Sequence, residues 1–152
     1  MLIVCCRVGD AAWGFDARDV VSVVPAVVPR PVPQAPPVVA GLVRWRGGLL
    51  PVLDLGVLLG GTPCRERLDT RILVLRRDAG LVGLRAERVT DTAEIPAESF
   101  LPSPIASPDA AWLGPVAMHE GELLQLVRPG ALLTPDLAAL LETAARAVEA
   151  TP

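Results

Sequence analysis

The chain has 152 residues, 51% of them apolar and 20% charged, with a formal charge of −3 and a mean hydropathy of +0.46. That length fits one domain able to bury roughly 70% of its unfolded surface, so a core is available without disulfides, and the composition excludes a disordered tail. All 14 basic residues are arginines and are scattered; with three Trp, two Phe and no Tyr there is neither a phosphate-tracking stripe nor a row of stacking platforms, which argues against nucleic-acid binding.

No stretch reaches the ~18 uninterrupted apolar residues that a membrane helix needs; Pro, Asp or Arg breaks every run. The opening MLIVCCRVGD has no basic segment ahead of its short apolar run, and Cys5 stands close to the start. Neither a secretory signal nor a lipidation site is expected there, and the expected compartment is the cytoplasm.

Residues 2–8 and AAWGF read as two strands of a hairpin turning at Gly9-Asp10. Asp16 to Asp19 reads as a single turn before the β-branched run Val20 to Val24. Pro25, Pro29, Pro31, Pro33, Pro36 and Pro37 follow, and such a density of fixed φ angles and missing donors predicts an extended surface loop. GLVRWR and LLPVLDL flank Gly47-Gly48, which is expected to be the two-residue turn of a second hairpin; Pro51 marks its strand as an edge or a bulge, and Asp54 is expected to cap the turn after it.

After a loop spanning Gly60 to Asp69, RILVLRR and LVGLRAERV form a hairpin across Asp78-Ala79-Gly80, and WLGPVAMH and ELLQLV form another across Glu120-Gly121. TPDLAALLETAARAV is the one convincing helix, with Thr134 as N-cap, Pro135 at the first helical position and an apolar stripe at Leu137, Leu140, Leu141, Ala144 and Val148.

WGFDARDV, residues 13–20, aligns with VGLRAERV, residues 82–89, through Gly14/Gly83, Phe15/Leu84, Ala17/Ala86 and Val20/Val89, with Pro25 and Pro96 closing the apolar stretches that follow. The repeat predicts two similar β units, with each glycine marking a close backbone approach or a bent strand.

Catalytic chemistry finds little footing. GGTPCRER lacks the Gly-Lys-Ser/Thr ending of a phosphate loop, and His119 beside Glu120 at a hairpin end reads as a solvated side chain. Cys5, Cys6, Cys64 and His119 show no metal-ligand spacing, so no metal and no cofactor are expected. The three cysteines read as buried or loop thiols in a reducing cytosol; the alternative for Cys64 is a pKa lowered by Arg65 and Arg67, for which no partner base is in sight.

The order and spacing of three segments, APPVVAGLVRWRGGLLPVLDL at 35–55, VGLRAERVTDTAEI at 82–95 and WLGPVAMHEGELLQLVRPGALL at 112–133, resemble the CheW-like domain of bacterial chemosensory systems, over about residues 2–141. The resemblance implies a mostly β fold of two SH3-like five-stranded β-barrels sharing a core, with a C-terminal α-helix. Residues 1–141 would form a single CheW-like domain, and 142–152 the end of the helix and a tail. It implies no catalysis. The function would be that of an adaptor binding the cytoplasmic tip of a methyl-accepting chemoreceptor and the regulatory domain of a CheA-type histidine kinase, with membrane association only through the receptor. The alternative is the same binding module in a non-flagellar pathway, for pilus motility or second-messenger control.

Residue by residue, the resemblance gives Arg46 to receptor coupling, and Val20, Gly41, Gly83 and Val89 to partner contacts near the groove and barrel ends; the alternatives are that Val20 and Val89 are ordinary core residues and that the glycines are backbone necessities. Gly47, Gly48, Pro51 and Asp54 shape the hairpin that carries Arg46. The rival assignment for Arg46 is an ion pair inside the chain, with Asp54. Three features depart from the family pattern: Arg44-Trp45 stand where Asn-Leu is usual, Glu87 stands where Asp is usual, and Pro115 interrupts a late strand.

Overall fold

The computed structural model describes residues 1–77, 80–89, 91–104 and 110–149. Ten strands form two five-stranded sheets. In chain order the elements are β1 (Leu2–Val8), β2 (Ala11–Asp16), β3 (Val20–Pro25), β4 (Val39–Trp45), β5 (Gly48–Asp54), α1 (Leu55–Gly60), β6 (Arg71–Arg77), β7 (Gly80–Ala86), β8 (Asp91–Glu94), β9 (Leu113–His119), β10 (Glu122–Val127) and α2 (Pro135–Glu149). The first sheet runs β8-β1-β2-β10-β9 and the second β3-β6-β7-β5-β4.

The two orders are one topology used twice. Each sheet centres on an antiparallel hairpin, β1-β2 or β6-β7, whose second strand also pairs in parallel with β10 or β5. The repeat glycines occupy matching places: Gly14 lies opposite Cys5 and Leu126, Gly83 opposite Val74 and Val52. A Cβ on Gly14 would come within 2.6 Å of Ile3 Cγ2, and one on Gly83 within 2.9 Å of Val52 Cγ2 and 3.2 Å of Ile72 Cγ2. Each glycine therefore lets the β-branched residues of its neighbours fill the inside of a small SH3-like barrel.

The chain crosses between barrels twice. β3 follows β2 but joins the second sheet, and β8 follows β7 but joins the first. This exchange explains the alternation along β1, where both faces are buried: Ile3 packs with Leu124 and Leu126 inside its own barrel, while Val4 and Cys6 enter a central core with Phe15, Leu53, Leu73, Leu75 and Leu84. β6 does the same, sending Ile72 and Val74 into its barrel and Leu73 and Leu75 to the centre. Leu132, Leu133, Ala138 and Leu141 close the central core from the C-terminal side.

Several expectations are corrected. The second hairpin turns on Arg46-Gly47, not Gly47-Gly48: φ is +47° at Arg46 and +80° at Gly47, and Gly48 already pairs with Trp45 inside β5. Positive φ at both central residues is the type I′ arrangement whose twist matches the strands. Pro51 lies on an interior strand, not an edge, and pairs with Leu42; pairing of β5 with β7 begins only at Val52, and the irregularity in β4, between Val39 and Gly41, falls opposite Val52 and Leu53, just beyond the proline.

Residues 55–60 form a helical turn and 91–94 pair with β1 as the outer strand of its sheet, two elements that the local sequence pattern does not mark. Pro115 does not interrupt β9. That strand is the outer member of its sheet, and the register shift in β10 between Gln125 and Val127 lies opposite the proline. The Glu120-Gly121 turn is as expected, with φ of +51° and +78°, whereas Asp78 and Ala79 lie outside the described residues.

Candidate partner-binding surface

Arg46 stands at the tip of the β4-β5 hairpin, exposed, with its guanidinium carbon 4.4 Å from the centre of the Trp45 ring. The turn holds its backbone and the half-buried indole, which packs on the core of the second barrel, holds its side chain. Arg46 makes no ion pair among the described residues. Arg44, also exposed, adds a second positive charge beside it.

Asp54, at the other end of β5, is 1% exposed and fully engaged. Its Oδ2 accepts from Arg85 Nε at 2.8 Å and Nη2 at 2.7 Å, and its Oδ1 accepts from the backbone N–H of Val57 at 3.0 Å and Cys64 at 3.1 Å. It therefore caps α1, as expected for a side chain at that position, and it crosses to β7 at the paired position Asp54–Arg85. The internal pairing of Arg46 with Asp54 is excluded, because Arg85 holds that carboxylate. No local pattern marks the Arg85 contact, since the parallel pairing of β5 with β7 joins strands far apart in the chain.

The remaining candidates sit elsewhere. Gly41, buried with φ of +144°, allows the proline-rich segment to bridge to β4 through Arg30 and Leu42, and a Cβ there would collide with the Arg30 carbonyl oxygen. Gly83 is buried inside the second barrel. Val20 and Val89 are half-buried against the central core, one at each crossover. Val20 pairs with Leu75 and the Val89 N–H donates to Asp69, so the two lie toward opposite ends of β6. Strand directions put Val20 toward the same end of the second barrel as Arg46, and Val89 toward the other.

Cys64 is the buried thiol expected, and the alternative of a pKa lowered by its arginine neighbours is not met. It is buried, its Sγ donates to the Arg85 carbonyl at 3.4 Å, and burial followed by the Asp54 charge pushes its pKa up to about 12. Burial likewise raises the thiols of Cys5 and Cys6. Among the described residues no group of three or more His, Cys, Asp or Glu side chains is placed to hold a metal ion, and none of the helices is long and apolar enough to cross a membrane. His119 Nε2 lies 3.8 Å from Glu120, whose side chain is 83% exposed.

Comparison with known proteins agrees with this architecture. Residues 2–136 match the CheW-like domain family. The chain is 34% identical to protein FrzA of Myxococcus xanthus over 107 residues, covering 70% of this chain and 67% of FrzA, and 27% identical to chemotaxis protein CheW of Rhizobium meliloti over 130 residues, covering 82% of each. The scaffolding protein TtCheW of Thermoanaerobacter tengcongensis superposes with a TM-score of 0.80 at 25% identity, covering 88% of this chain and 87% of that one. With its duplicated five-stranded barrels and a family match over nearly its whole length, the chain belongs to the CheW-like domain family.

Proposed function

We propose that the protein is a non-catalytic scaffold of the cytoplasm that couples the cytoplasmic tip of a methyl-accepting chemoreceptor to the regulatory domain of a CheA-type histidine kinase, meeting the membrane only through the receptor. The observation that carries this reading is the match of residues 2–136 to one family of chemosensory scaffolds, with the same fold as a protein named for scaffolding. Residues 1–141 are proposed as the CheW-like unit and 142–152 as the helix end and tail.

Arg46 is proposed as the receptor contact. It is exposed, preorganised by its turn and by Trp45, and makes no ion pair among the described residues, so its two-pronged guanidinium is available to a carboxylate. Val20 and Val89 would contribute apolar contact at the crossovers, while Gly41 and Gly83 would act by shaping the strands. A second reading, the same module in a non-flagellar pathway, draws support from the 34% identity to FrzA, a relative not named for chemotaxis.

Affinity capture from the native cell extract tests the proposal. Recovery of a methyl-accepting receptor together with a CheA-type kinase is the expected result, and recovery of neither contradicts it.

A further inference from the structure

At the end of β5 away from Arg46, a cleft of about 300 Å³ opens between the two barrels. Its walls carry Arg7 from β1, Arg65 and Arg67 from the loop after α1, and Arg88 from the second crossover, against one carboxylate, Glu87. Four arginines face one lining carboxylate, and with Glu122 paired to Arg7 from just outside the lining the local charge is +2, in a chain whose net charge is −3. Arg7 is engaged by Glu122 at 3.0 Å and Arg67 by Glu87 at 3.4 Å, whereas Arg65 and Arg88 make no ion pair among the described residues. Glu66 and Asp69 line the adjoining outer surface, and Arg7 and Arg88 also border a second cleft lined by Asp91, Glu120 and Glu122; none of these five carboxylates lines this cleft.

The backbone adds a second observation. Arg88 has φ of +51°, a conformation that glycine adopts freely and a side chain does not, so a charged residue is held on the cleft wall at a position where its backbone is strained. Gly9 and Gly60 contribute only backbone to the lining, and Thr62 adds a hydroxyl. Guanidinium groups, a hydroxyl and bare backbone suit a compact oxyanion better than an apolar peptide. The segment GGTPCRER lacks the lysine of a phosphate loop, yet it brings Arg65 and Arg67 to this wall. The volume is at the lower end of small-molecule sites.

We propose that this cleft binds a phosphate-bearing small molecule, whose phosphate oxygens are gripped by Arg65 and Arg88. The test is calorimetric titration of the full chain with pyrophosphate at low ionic strength, repeated on Arg65→Gln, Arg88→Gly and, as a control for lost charge, Arg146→Gln on the exposed face of α2. Saturable one-to-one binding is expected, weakened at least tenfold in both cleft variants and unchanged in Arg146→Gln. Arg88→Gly relaxes the left-handed backbone, so its thermal midpoint should not fall, which separates loss of ligand from loss of fold. Absence of saturable binding to the parent protein, undiminished binding in either cleft variant, or equal weakening in Arg146→Gln would overturn the proposal.

Discussion

Asp54 is held by four donors at once, two from Arg85 and two from backbone N–H groups, and this is what allows a carboxylate to stay 1% exposed. Removing its charge while keeping its shape strands the Arg85 guanidinium, whose side chain is only 20% exposed. Asp54→Asn is therefore expected to destabilise the fold by about 3 to 5 kcal/mol, as breaking one side of a buried pair does. Urea unfolding checks this, and a change under about 1 kcal/mol would show that water replaces the lost partner.

Cys64 gives a pH prediction at the same locus. Its thiol is raised in the folded chain from 9.0 to about 12, so its contribution to stability is fully present below pH 9 and is lost as pH rises from 9 towards 12, where the unfolded chain ionises and the folded one resists. The urea midpoint of the parent should fall more steeply than that of Cys64→Ala over this range; parallel curves would remove Cys64 from the account. At Arg46 the expectation divides between binding and stability. If its pair with a receptor carboxylate is largely desolvated, Arg46→Ala costs roughly 2 to 5 kcal/mol of binding, against about 0 to 1 for a solvated arginine. Stability should fall by no more than about 1 kcal/mol, the size of the lost contact with Trp45.

At the scale of elements, the repeat read from eight residues proved to be the organising feature of the fold, because a glycine without room for a Cβ leaves a mark that local pattern preserves. Gly83→Ala should cost about 1 to 3 kcal/mol through overpacking against Val52, Leu50 and Ile72. Gly14→Ala should act alike in the other barrel, with the two costs adding because Gly14 faces Ile3, Leu124 and Leu126 while Gly83 faces Val52, Leu50 and Ile72. Thermal or urea unfolding of the two single variants and the double variant decides this; a harmless Gly83→Ala would mean that the barrel has slack.

What was not legible has physical causes. LGVLLG continues the apolar run of β5 without any break in composition, so only the Asp54 cap and the left-handed Gly61 after it mark α1. DTAE is short, largely exposed and polar, and it becomes a strand because β1 offers it an edge. The hairpin turn was displaced by one residue because two adjacent glycines suit positive φ better than arginine does, whereas pairing of Trp45 with Gly48 puts Arg46 into the turn. Of the partner-binding candidates beyond Arg46, Gly41 and Gly83 leave room where a Cβ would collide, and Val20 and Val89 pack half-buried on the central core, so local pattern alone does not separate them from structural residues.

For the whole molecule, the two crossovers and the central core make the barrels interdependent: Phe15 from the first and Leu53, Leu73 and Leu84 from the second are all fully buried in one cluster. Unfolding should accordingly be a single cooperative transition by fluorescence and far-UV circular dichroism alike, with the folded spectrum showing well under about a third helix; two separated transitions would mean that the barrels are independent units. The same architecture bears on the proposed scaffold role, which requires two partners to be held at once on different faces of one rigid body. The most direct measurement is therefore size-exclusion chromatography with light scattering on the protein mixed with a receptor-tip fragment and the regulatory domain of the kinase from the same cell. The account predicts a ternary complex containing all three, and displacement of one partner by the other would contradict it.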